Sequence, residues 1–301
     1  MALIEKITPH LARLTESRID RLVESGDILA DENFSPAIDG AFGQFYAPFD
    51  WINDNADIIL IGITPGRRQA KAALKALRNA LSKGRSPTDA AAIAKEAASF
   101  DGSMQDMAAK LMDRFELHKL FGLRRCADLF GSARHRAHYT SILRNPVLQS
   151  KAEKQAGETK SYAWFDYSGG DSAFKVDLLT RSIAQDFEPE ITHFKNAWLV
   201  PFGPTPATAL ERMAQRGLID ARRILPGLNH PSGTQQNRHN CQLNVSSDHS
   251  KCAPNVGCDR IRGRSRQLEK VVAERLSCHE IQNSFGWWVE GDNAAASAPR
   301  K

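Results

Sequence analysis

Two short turns carry the residue types best suited to chemistry. Gly62-Ile63-Thr64-Pro65-Gly66-Arg67-Arg68 closes one apolar run, and Asn229-His230-Pro231-Ser232-Gly233-Thr234 closes another far down the chain. The first is neither a P-loop, which needs a GK[ST] ending, nor a GxGxxG dinucleotide turn. It places backbone and one short polar side chain, Thr64, at the carboxyl end of a strand. The second places His230 at the end of its own strand. Each turn alone is as readily structural as functional. Brought to the same edge of one sheet, they would line a common site. No GxSxG elbow and no HExxH helix occurs, so esterase and zinc-protease chemistry lack support.

Other candidate ligands are weaker. Cys241, Cys252 and Cys258, with His239 or His249, could hold zinc, but C-x10-C and C-x5-C fit no strong zinc signature, and no metal is expected. His135 and His138 lie among basic residues and are expected to face solvent or phosphate.

Four runs read as buried strands that must position these turns: Asp57–Ile63, Ala137–Leu143, Asn196–Phe202 and Arg222–Leu228. Helical spacing lies between and after them. Leu74, Leu77 and Leu81 mark one helix, Met107 to Leu120 a second, Pro206 to Gln215 a third ending near Gly217, and Arg260 to Leu276 a last one. Strands alternating with helices predict an α/β fold, a three-layer sandwich around a central, mainly parallel four-stranded sheet. In such sheets ligands sit at the carboxyl ends of the strands. Residues 150–171 and 233–259 read as irregular insertions, the former rich in aromatics (Tyr162, Trp164, Phe165, Tyr167). Residues 1–290 are expected to form a single domain with an acidic helical region over about 1–50, and 291–301 a disordered tail.

Of the 301 residues 42% are hydrophobic and 25% charged, ordinary globular composition. There is no apolar run long enough for a membrane span and no secretory pattern at the start. Five cysteines, an odd count, argue against a disulfide scaffold and for a reducing, cytoplasmic setting. Charge is polarised: residues 1–57 carry four basic against eleven acidic residues, residues 58–88 seven basic and none acidic, residues 222–275 ten basic against four acidic. If both basic stretches reached one face, that face would attract a polyanion; taken singly, each reads equally as a solvated helix face.

With these residues on the page, the sequence resembles the uracil-DNA glycosylase superfamily, recognised by a G-x-[DNA]-P-[GY] turn after its first strand and [HN]-P-S after its last. The matching residues are Gly62–Gly66 and His230–Ser232, with looser likeness at Ser99-Phe100-Asp101-Gly102, Tyr139–Leu143 and Leu199–Ala209, covering roughly Phe45 to Leu276. The resemblance implies a monofunctional, monomeric enzyme without cofactor that flips a pyrimidine out of double-stranded DNA and hydrolyses its N-glycosidic bond. It implies that His230 donates to the departing base and that Thr64 orients water. Gly62, Ile63, Phe100, Ser141 and Asn229 would line the base pocket. Pro65, Gly66, Arg67, Arg68, Ser232, Gly233, Thr234 and Arg238 would contact DNA. Some members carry an iron–sulfur cluster on cysteine pairs, which this chain lacks.

Two departures bear on the substrate. Thr64 stands where uracil-removing members often carry Asp or Asn, and Ser141 stands where they place the Asn that reads the pyrimidine. A short Ser leaves a larger, less discriminating space. The expected substrate is therefore a modified base, such as glucosylated 5-hydroxymethylcytosine of phage DNA, in anti-phage defence. The alternatives are a uracil-DNA glycosylase of base-excision repair, a non-catalytic DNA-binding relative, or a protein-interaction role in which the acidic N-terminal portion docks a partner.

Overall fold

Local signals start the first helices. Helix α1 spans Ala2–Leu11, and α2 spans Glu16–Ser25, opened by the Thr15 hydroxyl accepting from the Arg18 N–H and closed at Gly26 in a left-handed conformation. Gly26 is needed there, because a Cβ would lie 2.5 Å from the Trp164 ring. Two short strands follow, β1 (Ala37–Asp39) and β2 (Phe42–Gln44). The computed structural model describes residues 2–100, 102–153, 161–245, 248 and 252–284; the expected tail from 291 lies outside them.

The apolar run at 58 forms β3 (Ile58–Gly62), buried at every position, as a central parallel strand must be. It feeds α3 (Arg67–Ser82) and α4 (Pro87–Ala98), the latter capped by the Ser86 hydroxyl with Pro87 at its first position. The helix expected over Met107 to Leu120 is two pieces, α5 (Ser103–Arg114) and α6 (Leu117–Leu120), because Glu116 adopts a left-handed backbone (φ 59°) that interrupts the helix. Strand β4 (Ala137–Ser141) is followed by β5 (Val147–Glu153) and β6 (Ser161–Asp166). Then come α7 (Asp177–Ser182), a π turn, α8 (Glu188–His193), β7 (Trp198–Pro201), α9 (Pro204–Gln215), α10 (Gln236–Gln242) and α11 (Cys258–Ser284).

The parallel sheet has the order β4-β3-β7, with Gly62 opposite Ser141 and Ile61 opposite Pro201. Ile59 and Ile61 pack with α7, α8 and α9, while Ile58 and Leu60 pack with α5, α6 and α11, so helices cover both faces. The central sheet is thus three-stranded, not four-stranded as expected. Residues 222–228 lie beside β7 and meet it only at two isolated parallel bridges, Leu199 with Ile224 and Phe202 with Leu228. Pro226, between the bridges, has no N–H to give a ladder. Gly227 follows with φ 131°, pressed so close to α11 that a Cβ would lie 2.7 Å from the Arg264 carbonyl.

A second, antiparallel sheet was not anticipated. Its order is β1-β2-β5-β6, with Ser150 opposite Trp164 and Ala152 opposite Tyr162. The aromatic segment expected to be irregular is therefore mostly strand β6. Trp164 packs on the core formed by α1 to α4, Tyr162 stays exposed, and Tyr167 turns inward against Phe42. The 233–259 segment is likewise not simply a loop, since it contains α10 and short 3-10 turns.

Candidate functional site

Strand β3 and the 222–228 segment deliver the two candidate turns to the same carboxyl edge. A pocket of about 280 Å³ opens there, lined by Ile63, Asn229, His230 and Arg238 of the expected residues. Its other walls include Gly169, Gly170 and Gly203, the Thr205 side chain, the Val256–Gly257 turn, and Arg260, Ile261 and Arg264 of α11. The Thr205 hydroxyl accepts from the Gly170 N–H at 2.9 Å, and a Cβ on Gly169 would sit 2.8 Å from that same oxygen. Side-chain-free residues therefore keep this wall open.

His230 is half-buried and its imidazole makes no hydrogen bond among the described residues. Burial, with the neighbouring His239, pushes its pKa down to about 4, so the ring is neutral at physiological pH and presents one N–H donor. Its backbone is held by His239, whose Nε2 lies 2.8 Å from the His230 carbonyl. Asn229 is fully enclosed. Its N–H donates to Gln242 Oε1, its Nδ2 donates to the Arg238 carbonyl, and its Oδ1 accepts from Arg264 Nη2 at 3.0 Å. Asn229 thus builds the wall of the pocket, leaving no side-chain group to read a base.

Arg264 is the unusual cation. Its Nε is buried without a partner, and burial together with Arg260 and Arg238 lowers its pKa. Neither Arg260 nor Arg264 has an acidic partner among the described residues, and Arg238 reaches only the amide oxygen of Gln235. Among the described residues no carboxylate lines the pocket. Three arginines thus line one pocket, Arg238 and Arg260 exposed and Arg264 partly buried, a positively charged wall of the kind that attracts anions.

The remaining expected pocket residues do not join it. Phe100, Ser141 and Pro65 line a separate cleft of about 20 Å³, with Gln69, Thr140 and Arg144, room for about one water. Phe100 is buried against Phe130, Tyr139 and Phe202, with φ 48°, as part of the core. The Thr64 hydroxyl donates to the Asn145 carbonyl and accepts from the Val147 N–H, both at 3.1 Å, clasping the segment between β4 and β5. Gly62 ends β3, and Gly66 begins α3 with its N–H on Gln69 Oε1. Ser232 and Thr234 bond each other through their hydroxyls, flanking Gly233 on an exposed turn. Arg68 runs past Gly102.

Two charge expectations need correction. Arg67 does not point to an open phosphate site: its backbone N–H and its Nε both donate to Asp166 Oδ1 at 3.1 Å, and its Nη1 donates to the Glu24 carbonyl. More broadly, acidic α2 covers basic α3. Glu24 meets Lys71 at 2.8 Å, Asp20 meets Lys75 at 2.6 Å, and Glu16 accepts from Asn79. The two sequence stretches of opposite sign therefore partner each other, and the basic residues that face the pocket come from the second stretch alone. His138 is not at the surface either. It is buried, with Nε2 2.6 Å from Glu190 Oε1 and Nδ1 accepting from the Asn53 N–H.

Sequence reasoning missed Arg260 and Arg264. Their four-residue spacing on an expected helix put both on one face, a signal present in the chain. Gly169, Gly170 and Thr205 had no such signal, because the turn after β6 and the start of α9, distant in the chain, bring them together.

No protein-family model matches the chain, and no solved structure matches it. It is 30% identical over 216 residues to the uncharacterized protein YoxB of Bacillus subtilis (strain 168), a stretch that covers 70% of this chain and 78% of that protein. At that identity and coverage, the chain belongs to the same family as YoxB.

Proposed function

We propose that the protein is a DNA glycosylase that extrudes a modified pyrimidine into the 280 Å³ pocket and hydrolyses its N-glycosidic bond. The observation that carries this reading is the neutral His230 facing a pocket shared with Arg238, Arg260 and Arg264. Cleavage leaves negative charge on the departing base and an oxocarbenium-like sugar. A neutral imidazole N–H stabilises the base oxygen, and losing such a donor costs roughly 3–4 kcal/mol of barrier. The arginines neutralise the phosphates beside the flipped nucleotide. With no carboxylate lining the pocket among the described residues, the reading rests on leaving-group stabilisation, with water completing the reaction. The glycine-walled side favours a base larger than uracil, with glucosylated 5-hydroxymethylcytosine as the leading substrate.

The clasped Thr64 hydroxyl supports a second reading, a DNA-binding protein without hydrolysis. Abasic-site formation on uracil-containing, unmodified, hydroxymethylated and glucosylated DNA separates the two. Breaks confined to modified DNA and absent in His230→Ala support the glycosylase. Retained binding without breaks supports the second reading.

A further inference from the structure

Three cysteines from separate parts of the chain converge beside this pocket. Cys241 lies on α10, Cys252 in the following loop, and Cys258 is the first residue of α11. Their three sulfurs all lie within 4.8 Å of one another, Cys241 and Cys258 at 3.0 Å. From this geometry we infer that Cys241, Cys252 and Cys258 bind a thiophilic divalent cation, zinc in the first instance, as a structural clamp on the wall of the Arg-lined pocket.

The packing explains why a clamp is needed here. Among the described residues, the buried apolar partners of this cluster are Val256 and Ile261, with Cys241 beside them. So small a core contributes little burial free energy to hold a turn between two helices. A cation linking α10, the loop and α11 supplies that connection, as structural zinc does in small domains. Sulfur ligands select zinc over the harder divalent cations. Three sulfurs fill three tetrahedral positions, and the fourth goes to water or another donor. Binding converts three thiols to thiolates and releases their three protons to solvent, with no electron transferred. Cys252 and Cys258 are partly exposed, so a cation can reach them.

The clamp bears on the pocket through the turn it secures. Val256 and Gly257 lie between the second and third cysteines, and both line the pocket. Gly257 adopts φ 69°, and a Cβ there would lie 3.2 Å from Arg260 Nη2, so this turn sets where Arg260 can stand. A second group of potential ligands, Asp113, His118 and Cys126, differs in kind. There Asp113 Oδ1 already accepts from the Cys126 N–H and lies 3.3 Å from His118 Nδ1, and the group offers a single thiol, that of Cys126, which is fully buried.

The test is metal content, which needs no enzymatic readout. Full-length protein purified without chelator is expected to carry one zinc per chain by elemental analysis and native mass spectrometry. Cobalt exchanged into the site is expected to show thiolate-to-cobalt charge-transfer absorption. Cys241→Ser and Cys258→Ser are each expected to lose the metal. Because these variants could unfold, wild-type protein provides the second readout: zinc should protect Cys241, Cys252 and Cys258 from alkylation, and chelator should expose them. Wild-type protein that takes up no zinc overturns the inference, as does a Cys241–Cys258 disulfide in the purified chain or metal retained at full level in both well-folded variants.

Discussion

Asn229 Oδ1 accepts a hydrogen bond from Arg264 Nη2 at 3.0 Å, and that contact joins the end of the 222–228 segment to the first turns of α11. It fixes a guanidinium that has no acidic partner among the described residues at the edge of the pocket. Part of this guanidinium is desolvated, with Nε buried and unpartnered, so an anion bound in the pocket would offset that cost. Arg264→Ala is expected to leave the melting temperature unchanged or raise it. The same variant is expected to weaken DNA binding and reduce the log–log salt slope by about one. Fluorescence anisotropy across a salt series, paired with thermal melts, reads both.

The acidic cover on α3 predicts a gain of DNA binding when it is removed. Each exposed pair, such as Glu24 with Lys71, is worth about 0.2–1 kcal/mol, so the fold should survive their loss. Asp20→Asn with Glu24→Gln is expected to strengthen non-specific DNA binding at low salt by uncovering Lys71 and Lys75. Electrophoretic mobility shifts with random-sequence duplex check this, and unchanged affinity would mean that α3 lies away from the DNA path.

A buried charge network away from the pocket predicts the acid response. Glu190, despite the opposing effect of burial, is held down to about 2 by Lys95, His138 and Arg144. Burial, then Lys95, lowers His138 to about 4 from an ordinary 6.5. Between pH 6.5 and 4 the unfolded chain therefore binds more protons than the folded one at this histidine. Its stabilisation, on the order of 3 kcal/mol at about 1.4 kcal/mol per unit, is complete above 6.5 and fades down to 4. Glu190 extends the loss below about 4.5. Lys95, lowered by burial to about 8, acts at the other end: stability rises with pH between about 8 and 10.5. Glu190→Gln is expected to cost about 3–5 kcal/mol, because it leaves Lys95 buried without its carboxylate. Urea melts from about pH 2 to 10.5 measure all three.

Gly227 marks where α11 presses on the 222–228 segment. Gly227→Ala would bring a methyl to 2.7 Å from the Arg264 carbonyl and strain a backbone at φ 131°. A loss of about 1–3 kcal/mol is expected, together with weaker DNA binding through displacement of Arg264. Gly217→Ala, at a left-handed helix end with open space around it, is the control: it should cost stability alone.

The strands that position the site were legible because Ile58–Gly62 and Trp198–Pro201 are unbroken apolar runs, and the two Gly/Pro- and His/Pro-bearing turns marked their ends. The 222–228 segment read as an equal strand only because a sequence scan does not weigh the N–H that Pro226 lacks. Strand β6 was hidden by its mixed SYAWFD pattern, in which Trp164 faces a core built from distant helices. His138 illustrates the same limit. Its basic neighbours suggested a surface, yet the residues that bury it, Asn53, Lys95 and Glu190, come from three other parts of the chain. Charge partnership between α2 and α3 was equally invisible, because composition reports sign and leaves contact unspecified.

The central claim is that His230 serves the reaction as a neutral donor in the pocket. The most direct measurement is single-turnover abasic-site formation on glucosylated DNA from pH 4 to 8, for wild type and His230→Ala. The account predicts a rate that stays level from pH 8 to near 5 and falls only as His230 protonates near 4, with the variant slowed by about 10²- to 10³-fold while DNA affinity is kept. A break near pH 6.5, or a variant as fast as wild type, would contradict it.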